Sequence, residues 1–214
     1  MGIYEDHVLP RAIDVLLGNR WMADVRRPAM EGLHGTVLEI GFGSGPNLPL
    51  YPPEVDRVLA VDPSAVGRRL ATRRLEAATV PVEFVGLDGQ HLALEDRCVD
   101  AVLSTWTLCT IPDVHLALRE AHRVLRDDGR LSFLEHGLSP KAGVASWQHR
   151  LTPLQRRIAG GCHLDRDIPA IVRRAGFWTE HLREFDLGGL QVATHMFCGT
   201  ARKAVPTDPG DEPR

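Results

Sequence analysis

Between residues 36 and 135, short apolar runs alternate with amphipathic stretches. The runs 36–40, 57–61, 82–85, 100–104 and 130–135 are rich in Val, Leu and Ile and apolar on both faces. Strands covered on both sides in a parallel sheet carry this pattern. The clearest helix lies at 113–126. There Val114, Leu118, Ala121 and Leu125 recur at helical spacing, while Arg119, Glu120 and Arg123 fall on other faces. Asp113 follows Pro112 as an N-cap, and Gly129 stands past the end. This alternation predicts an α/β fold: a doubly wound, mostly parallel sheet with helices on both faces and right-handed crossovers.

The flanks depart from that rhythm. The first 35 residues are helical in character and include Trp21 and Met22. After the fifth strand come helical stretches at 146–159 and 168–175, then strands near 181–187 and 193–202. These bring the sheet to seven strands, with one late strand antiparallel. No repeat is present. The last stretch, VPTDPGDEPR at 205–214, is rich in Pro and acid and is expected to be disordered.

The most informative segment is VLEIGFGSG at 37–45. An apolar strand runs directly into Gly41, Gly43 and Gly45. Glycine is needed where a backbone turns tightly or a ligand packs against it. A dinucleotide fingerprint, G-x-G-x-x-G, would place its third glycine where Pro46 stands, so that pattern fails. Glu39 precedes the first glycine by two residues. A carboxylate there repels a diphosphate and suits a ligand with an ammonium and a sulfonium, which is the methionine moiety of S-adenosylmethionine. The second strand ends at Asp62, placed to bond both ribose hydroxyls, with Pro63 and Ser64 following. The third leads to Asp88, Gly89 and Gln90, where Asp88 is placed to accept from the adenine amine. Asn47 beside the glycine turn and Ser104 at the end of the fourth strand complete the expected cofactor set.

This segment resembles the core of the class I S-adenosylmethionine-dependent methyltransferases over residues 36–137. The glycine motif, AVDPS, DGQHLALEDRCVDAV and VLRDDGRLSFLEHG all have counterparts in order. The chain departs at Gln90, where an acid is common, and at Asp127-Asp128, which replaces Pro-Gly. The resemblance implies a Rossmann-like fold in a single domain over 1–204. A helical cap at 1–35 precedes the cofactor-binding core at 36–137, and 138–204 supplies substrate-side helices and the last strands. A closer similarity lies with the methyltransferase-like thiol S-methyltransferases, a methyltransferase type 11 group. STWTLCTIPD, FLEHG, Trp147, GCHLDRD and GTARK carry it. It implies a small lipophilic acceptor, a thiol foremost, with S-adenosylhomocysteine as the product. The apolar membrane-anchoring N-terminus of that group has no match here. Quinone and phosphatidylethanolamine methyltransferases share much of the core and compete as readings, as does a cofactor-binding regulatory protein without turnover.

Methyl transfer is an in-line displacement, so the acceptor must be held about 3 Å from the methyl carbon with water excluded. His136, at the end of the fifth strand, is the first candidate to orient or deprotonate it, because imidazole titrates near neutral pH. His163 is the second. Trp21, Trp106 and Trp147 are candidate walls of an apolar acceptor pocket, with Cys109 and Cys162 beside them.

Composition narrows the picture further. The 214 residues are 43% hydrophobic and 25% charged, with a formal net charge of -3, so nothing favours nucleic acid. Cys98, Cys109, Cys162 and Cys198 show no CxxC spacing, so no metal site is expected and free thiols are. The N-terminus carries charge throughout and no apolar run suits a membrane span, which predicts a cytoplasmic protein.

Overall fold

The computed structural model describes Tyr4 and residues 8–204. The expected disordered tail at 205–214 lies outside the described residues. Seven strands form one sheet: β1 (Gly35–Ile40), β2 (Val55–Val61), β3 (Val82–Gly86), β4 (Val99–Thr105), β5 (Leu125–His136), β6 (Phe177–Asp186) and β7 (His195–Lys203). Their order is β3-β2-β1-β4-β5-β7-β6. The contacts of β1 with β2 and β4, of β2 with β3 and of β4 with β5 are parallel. Strand β7 runs antiparallel to both of its neighbours. The chain reverses its direction of travel across the sheet between β1 and β4, and crevices at such switch points hold ligands.

The helices are α1 (Leu9–Leu17), α2 (Arg20–Met30), α3 (Ala65–Leu70), α4 (Thr72–Glu76), α5 (Val114–Val124), α6 (Ala142–Ile158), α7 (Ile168–Arg174) and α8 (Gln191–Thr194). Alternate strand residues serve opposite faces, as the pleat requires. Leu38, Ile40, Val102 and Phe133 pack in one core with Leu118 and Ala121 of α5 and Ile171 and Val172 of α7. Val37, Ala60, Leu103 and Leu134 pack in the other with Ala29 and Met30 of α2. Burial of each of these Val, Leu, Ile, Phe and Met side chains stabilises the fold by about 1.5–3 kcal/mol.

The Asp113 cap forms as expected, its carboxylate accepting from the Leu116 N–H at 2.9 Å. Several boundaries differ. Helix α5 ends at Val124, and β5 begins at Leu125, ahead of the expected residue 130. Leu125 pairs with Val99 while Arg130 pairs with Ala101, so residues 126–129 bulge out of the ladder. That bulge is what the acid-rich Asp127-Asp128-Gly129 turn accommodates. Strand β6 starts four residues before the expected 181, along an exposed face with no apolar alternation to mark it. Residues 193–194 belong to α8 and not to a strand, because Gly188 and Gly189, both at positive φ, break the chain after β6. Helix α6 starts at Ala142, four residues early, and runs through Pro153.

Candidate cofactor and acceptor site

The glycine turn sits at the carboxyl end of β1, where Gly41, Gly43 and Gly45 have φ of 81°, 57° and 71°. Residues with a Cβ resist this left-handed region. A Cβ on Gly41 would overlap the Thr107 side chain, whereas above Gly43 nothing lies within 4 Å. The first glycine lets two strand ends approach, and the second leaves room for a ligand. Helix α3 closes on this turn from below. A Cβ on Gly67 would stand 3.0 Å from the Gly43 carbonyl.

Asp62, at the end of β2, ties the turn to the sheet. One carboxylate oxygen accepts from the Gly43 N–H and the other from the Ser64 N–H, each at 2.7 Å. Burial raises its pKa against the pull of those bonds. A carboxylate has about four lone-pair directions, so two stay open for ribose hydroxyls. Ser64 in turn caps α3 by accepting from the Gly67 N–H at 2.9 Å.

Glu39 is fully enclosed. Asn47 Nδ2 donates to it at 2.8 Å and the Tyr51 hydroxyl at 2.6 Å, while burial lifts its pKa to about 7. Arg26 reaches toward it from α2. Only 2% exposed, this guanidinium donates to the Leu17 carbonyl at 2.5 Å and lies 4.6 Å from the centre of the Trp106 ring. Burial pushes its pKa down to about 10, against the attraction of Glu39. Two buried atoms of this cluster have no partner: the donor Arg26 Nε and the acceptor Asn47 Oδ1. An amino-acid group carrying a carboxylate and an ammonium supplies the complement to both, so the residues present fit S-adenosylmethionine.

At the end of β3, Asp88 accepts from the Gln90 N–H at 2.9 Å and from the Gln90 side chain at 2.8 Å, and it meets His91 at 3.0 Å. These bonds hold its pKa below the usual carboxylate range. Gln90 Oε1 accepts from the Asp113 N–H at 2.8 Å, joining this turn to α5. Gly89 is packed so closely that a Cβ would stand 2.7 Å from Ile40.

The candidate acceptor side lies beyond β4. Trp106 takes a positive φ of 52°, a costly conformation for an aromatic residue. The turn after it is clamped at both polarities. Buried Glu135 accepts from the Ser104 hydroxyl at 2.7 Å, the Thr107 N–H at 3.1 Å and the Cys109 N–H at 3.3 Å. Arg166 donates to the carbonyls of Leu108 and Pro112. The Ser104 hydroxyl is thereby directed at Glu135. His136, 4% exposed, has no partner at either ring nitrogen.

The loop after α6 lies against this turn. The His163 N–H donates to the Cys109 carbonyl at 2.8 Å, and the His163 ring approaches the same oxygen at 3.3 Å. The Cys162 thiol faces Cys109, His136 and Gln155. Trp106 is part of the core beneath α2. Trp21 and Trp147 are 54% and 55% exposed, and Trp147 stacks with Arg150. The turn therefore unites Cys109, Cys162, His136 and His163, and leaves those two tryptophans open on the surface. Arg26, Tyr51, Glu135 and Arg166 were not singled out by sequence. Glu135 and Arg166 lay inside the quoted FLEHG and GCHLDRD segments, while Arg26 and Tyr51 had no local mark. Among the described residues, no group of His, Cys, Asp and Glu is placed to hold a metal, and no helix is long and apolar enough to cross a membrane.

This sheet order, glycine turn and acid-lined cradle define an S-adenosylmethionine-dependent methyltransferase. A methyltransferase-domain family profile matches residues 38–133. Human thiol S-methyltransferase TMT1B is 34% identical over 171 residues, covering 74% of this chain and 70% of that protein. The chain spans between 59% and 70% of the length of its first curated thiol relatives. A shorter match, 44% over 84 residues, joins it to the ubiquinone/menaquinone C-methyltransferase UbiE of Bradyrhizobium diazoefficiens, covering 39% of this chain and 32% of that one. A solved S-adenosylmethionine-dependent methyltransferase from Thermotoga maritima superposes with a TM-score of 0.65 at 19% identity, covering 94% of this chain and 98% of that one. The chain belongs to the methyltransferase family that includes the thiol S-methyltransferases.

Proposed function

We propose that the protein transfers the methyl group of S-adenosylmethionine to the sulfur of a small lipophilic thiol. One observation carries the reading: a buried histidine whose ring nitrogens make no hydrogen bond, His136, stands at the carboxyl edge of β5 against the Cys162 thiol. In this reading Asp62 holds the ribose, and Glu39, Asn47 and Arg26 hold the amino-acid end. Asp88 and Gly89 flank the adenine. His136 orients the thiol and takes its proton as the sulfur attacks the methyl carbon, while Trp106 and the Cys109 turn wall the acceptor. The cofactor supplies the activated methyl group.

The test is S-adenosylhomocysteine formation by the purified protein with a panel of thiols, phenols, quinones and amines, followed by a pH–rate profile with one active thiol. A base contributes about 100-fold to 10,000-fold. His136→Ala should therefore lose most rate at low pH, and the loss should shrink above the thiol's own pKa, near 8.5. Cofactor affinity should hardly change. A defect independent of pH leaves His136 a positioning role. Turnover of a quinone or amine with no thiol active moves the protein to another branch of the family.

A further inference from the structure

The acceptor side holds more thiol chemistry than methyl transfer consumes. Cys162 and Cys109 come from separate segments, the loop after α6 and the turn after β4, and their side chains face each other. The His163-to-Cys109 backbone bond of 2.8 Å lays the two segments side by side. Cys109 is only 1% exposed, whereas Cys162 is half-buried and is the more accessible of the two. His136, neither of whose ring nitrogens makes a hydrogen bond, faces the outer sulfur. An accessible thiol, a buried second thiol behind it and a proton-handling imidazole form the layout of an attacking and a resolving cysteine.

We propose that Cys162 and Cys109 are a thiol–disulfide exchange pair that opens small apolar disulfides at the acceptor site. Cys162 attacks one sulfur of RS–SR; the S–S bond breaks, a Cys162–S–S–R bond forms and RS⁻ leaves. Cys109 then gives up its proton and attacks the Cys162 sulfur, forming the Cys109–Cys162 disulfide and expelling the second RS⁻. Both thiolates take up protons, one of them through His136. The substrate gains two electrons and two protons, and the pair loses the same. A low-molecular-weight thiol must reduce the pair for another round. The released thiols are then acceptors for methylation; only this last consequence rests on the thiol reading above.

The electrostatics agree with the order of events. The neighbouring Cys109 thiol, with His136 and Gln155 beside it, pulls the Cys162 pKa well below the ordinary thiol value against the effect of burial. The same contact pushes Cys109 up, and burial adds to it. In the mixed disulfide Cys162 carries no charge, so its part of that rise is removed and Cys109 ionises more readily to resolve it. Cys98 and Cys198 are raised by burial, Cys198 to about 11, and serve as internal references.

The experiment treats the full, reduced chain with the uncharged chromogenic disulfide dithiodipyridine and no S-adenosylmethionine, recording thiopyridone release and protein mass. Cys162 should react at least about tenfold faster than Cys98, as a thiolate in a favourable setting does. The fast phase should release two thiopyridones per chain and leave a product lighter by two hydrogens, with Cys109 and Cys162 linked in the peptide map. Cys109→Ser should stop at one thiopyridone and keep the pyridyl adduct on Cys162. Should that variant not fold, the wild-type peptide map decides alone. A Cys162 no faster than Cys98, or a wild-type chain that keeps the adduct, overturns the proposal. Exchange without any thiol methylated when the cofactor is added leaves the pair standing and removes the thiol reading.

Discussion

At the scale of residues, the cradle is governed by acids held away from water. Glu39 has a pKa of about 7 in the folded chain against an ordinary 4.5. Between those values the folded state holds a proton that the unfolded state releases. Its contribution to stability is therefore present at low pH and is lost as pH rises through 7. A bound ammonium reverses the preference by favouring the carboxylate. Affinity for S-adenosylhomocysteine should thus rise with pH, by about tenfold between pH 6 and 8, and Glu39→Gln should flatten the dependence. Calorimetric titration at the two values checks it; equal affinities would mean that Glu39 does not meet the ammonium. Asp62 invites a simpler test. Asp62→Ala removes charge-assisted bonds of about 1.5–3 kcal/mol, so cofactor binding should weaken by about tenfold to a hundredfold. An unchanged dissociation constant would take the ribose from Asp62.

At the scale of elements, a polar knot fastens α1 to the glycine turn. Asp14 of α1 pairs with Arg74 of α4 at 2.7 Å and accepts from the Ser44 hydroxyl at 2.6 Å. Arg74 also donates to the Ser44 carbonyl at 3.0 Å. No residue of α1 is buried, so polar contacts such as this knot and the Arg26 bond to Leu17 tie it to the cradle. A half-exposed pair of this kind contributes about 1 kcal/mol. Asp14→Ala should speed S-adenosylhomocysteine dissociation by about fivefold and raise amide exchange across α1. Stopped-flow displacement and hydrogen exchange report the two effects; a dissociation rate equal to wild type would separate α1 from the cofactor site.

At the scale of the whole molecule, the proposed cofactor contacts lie on β1, β2 and β3 at one edge, with α2 and α3 beside them. A ligand held by so many elements stabilises all of them together. At a concentration of 100 times its dissociation constant it adds about 2.7 kcal/mol. For a chain of this size that should raise Tm by about 5–10 °C. Differential scanning with S-adenosylhomocysteine should show the rise, and NAD should not. A shift with NAD alone would contradict the reading of the glycine turn.

The sequence by itself determined the fold class, the glycine turn and the kind of cofactor. Apolar strands buried on both faces, glycines forced by positive φ, and acids at successive strand ends are local requirements, so each leaves a mark within a few residues of where it acts. The seven-strand architecture and the Asp113 cap were legible for the same reason. Only the tertiary structure decided the rest. It sank Arg26 beside Glu39 from 13 residues away, aimed Tyr51 at the same carboxylate and turned Ser104 toward Glu135. It also set Cys162 against Cys109, 53 positions apart in the chain. Such meetings depend on which loops pack together at one sheet edge, and no periodicity encodes that. The exposed Trp21 and Trp147 show the converse: an aromatic residue in a promising segment finds its neighbours only when the helices that carry it dock.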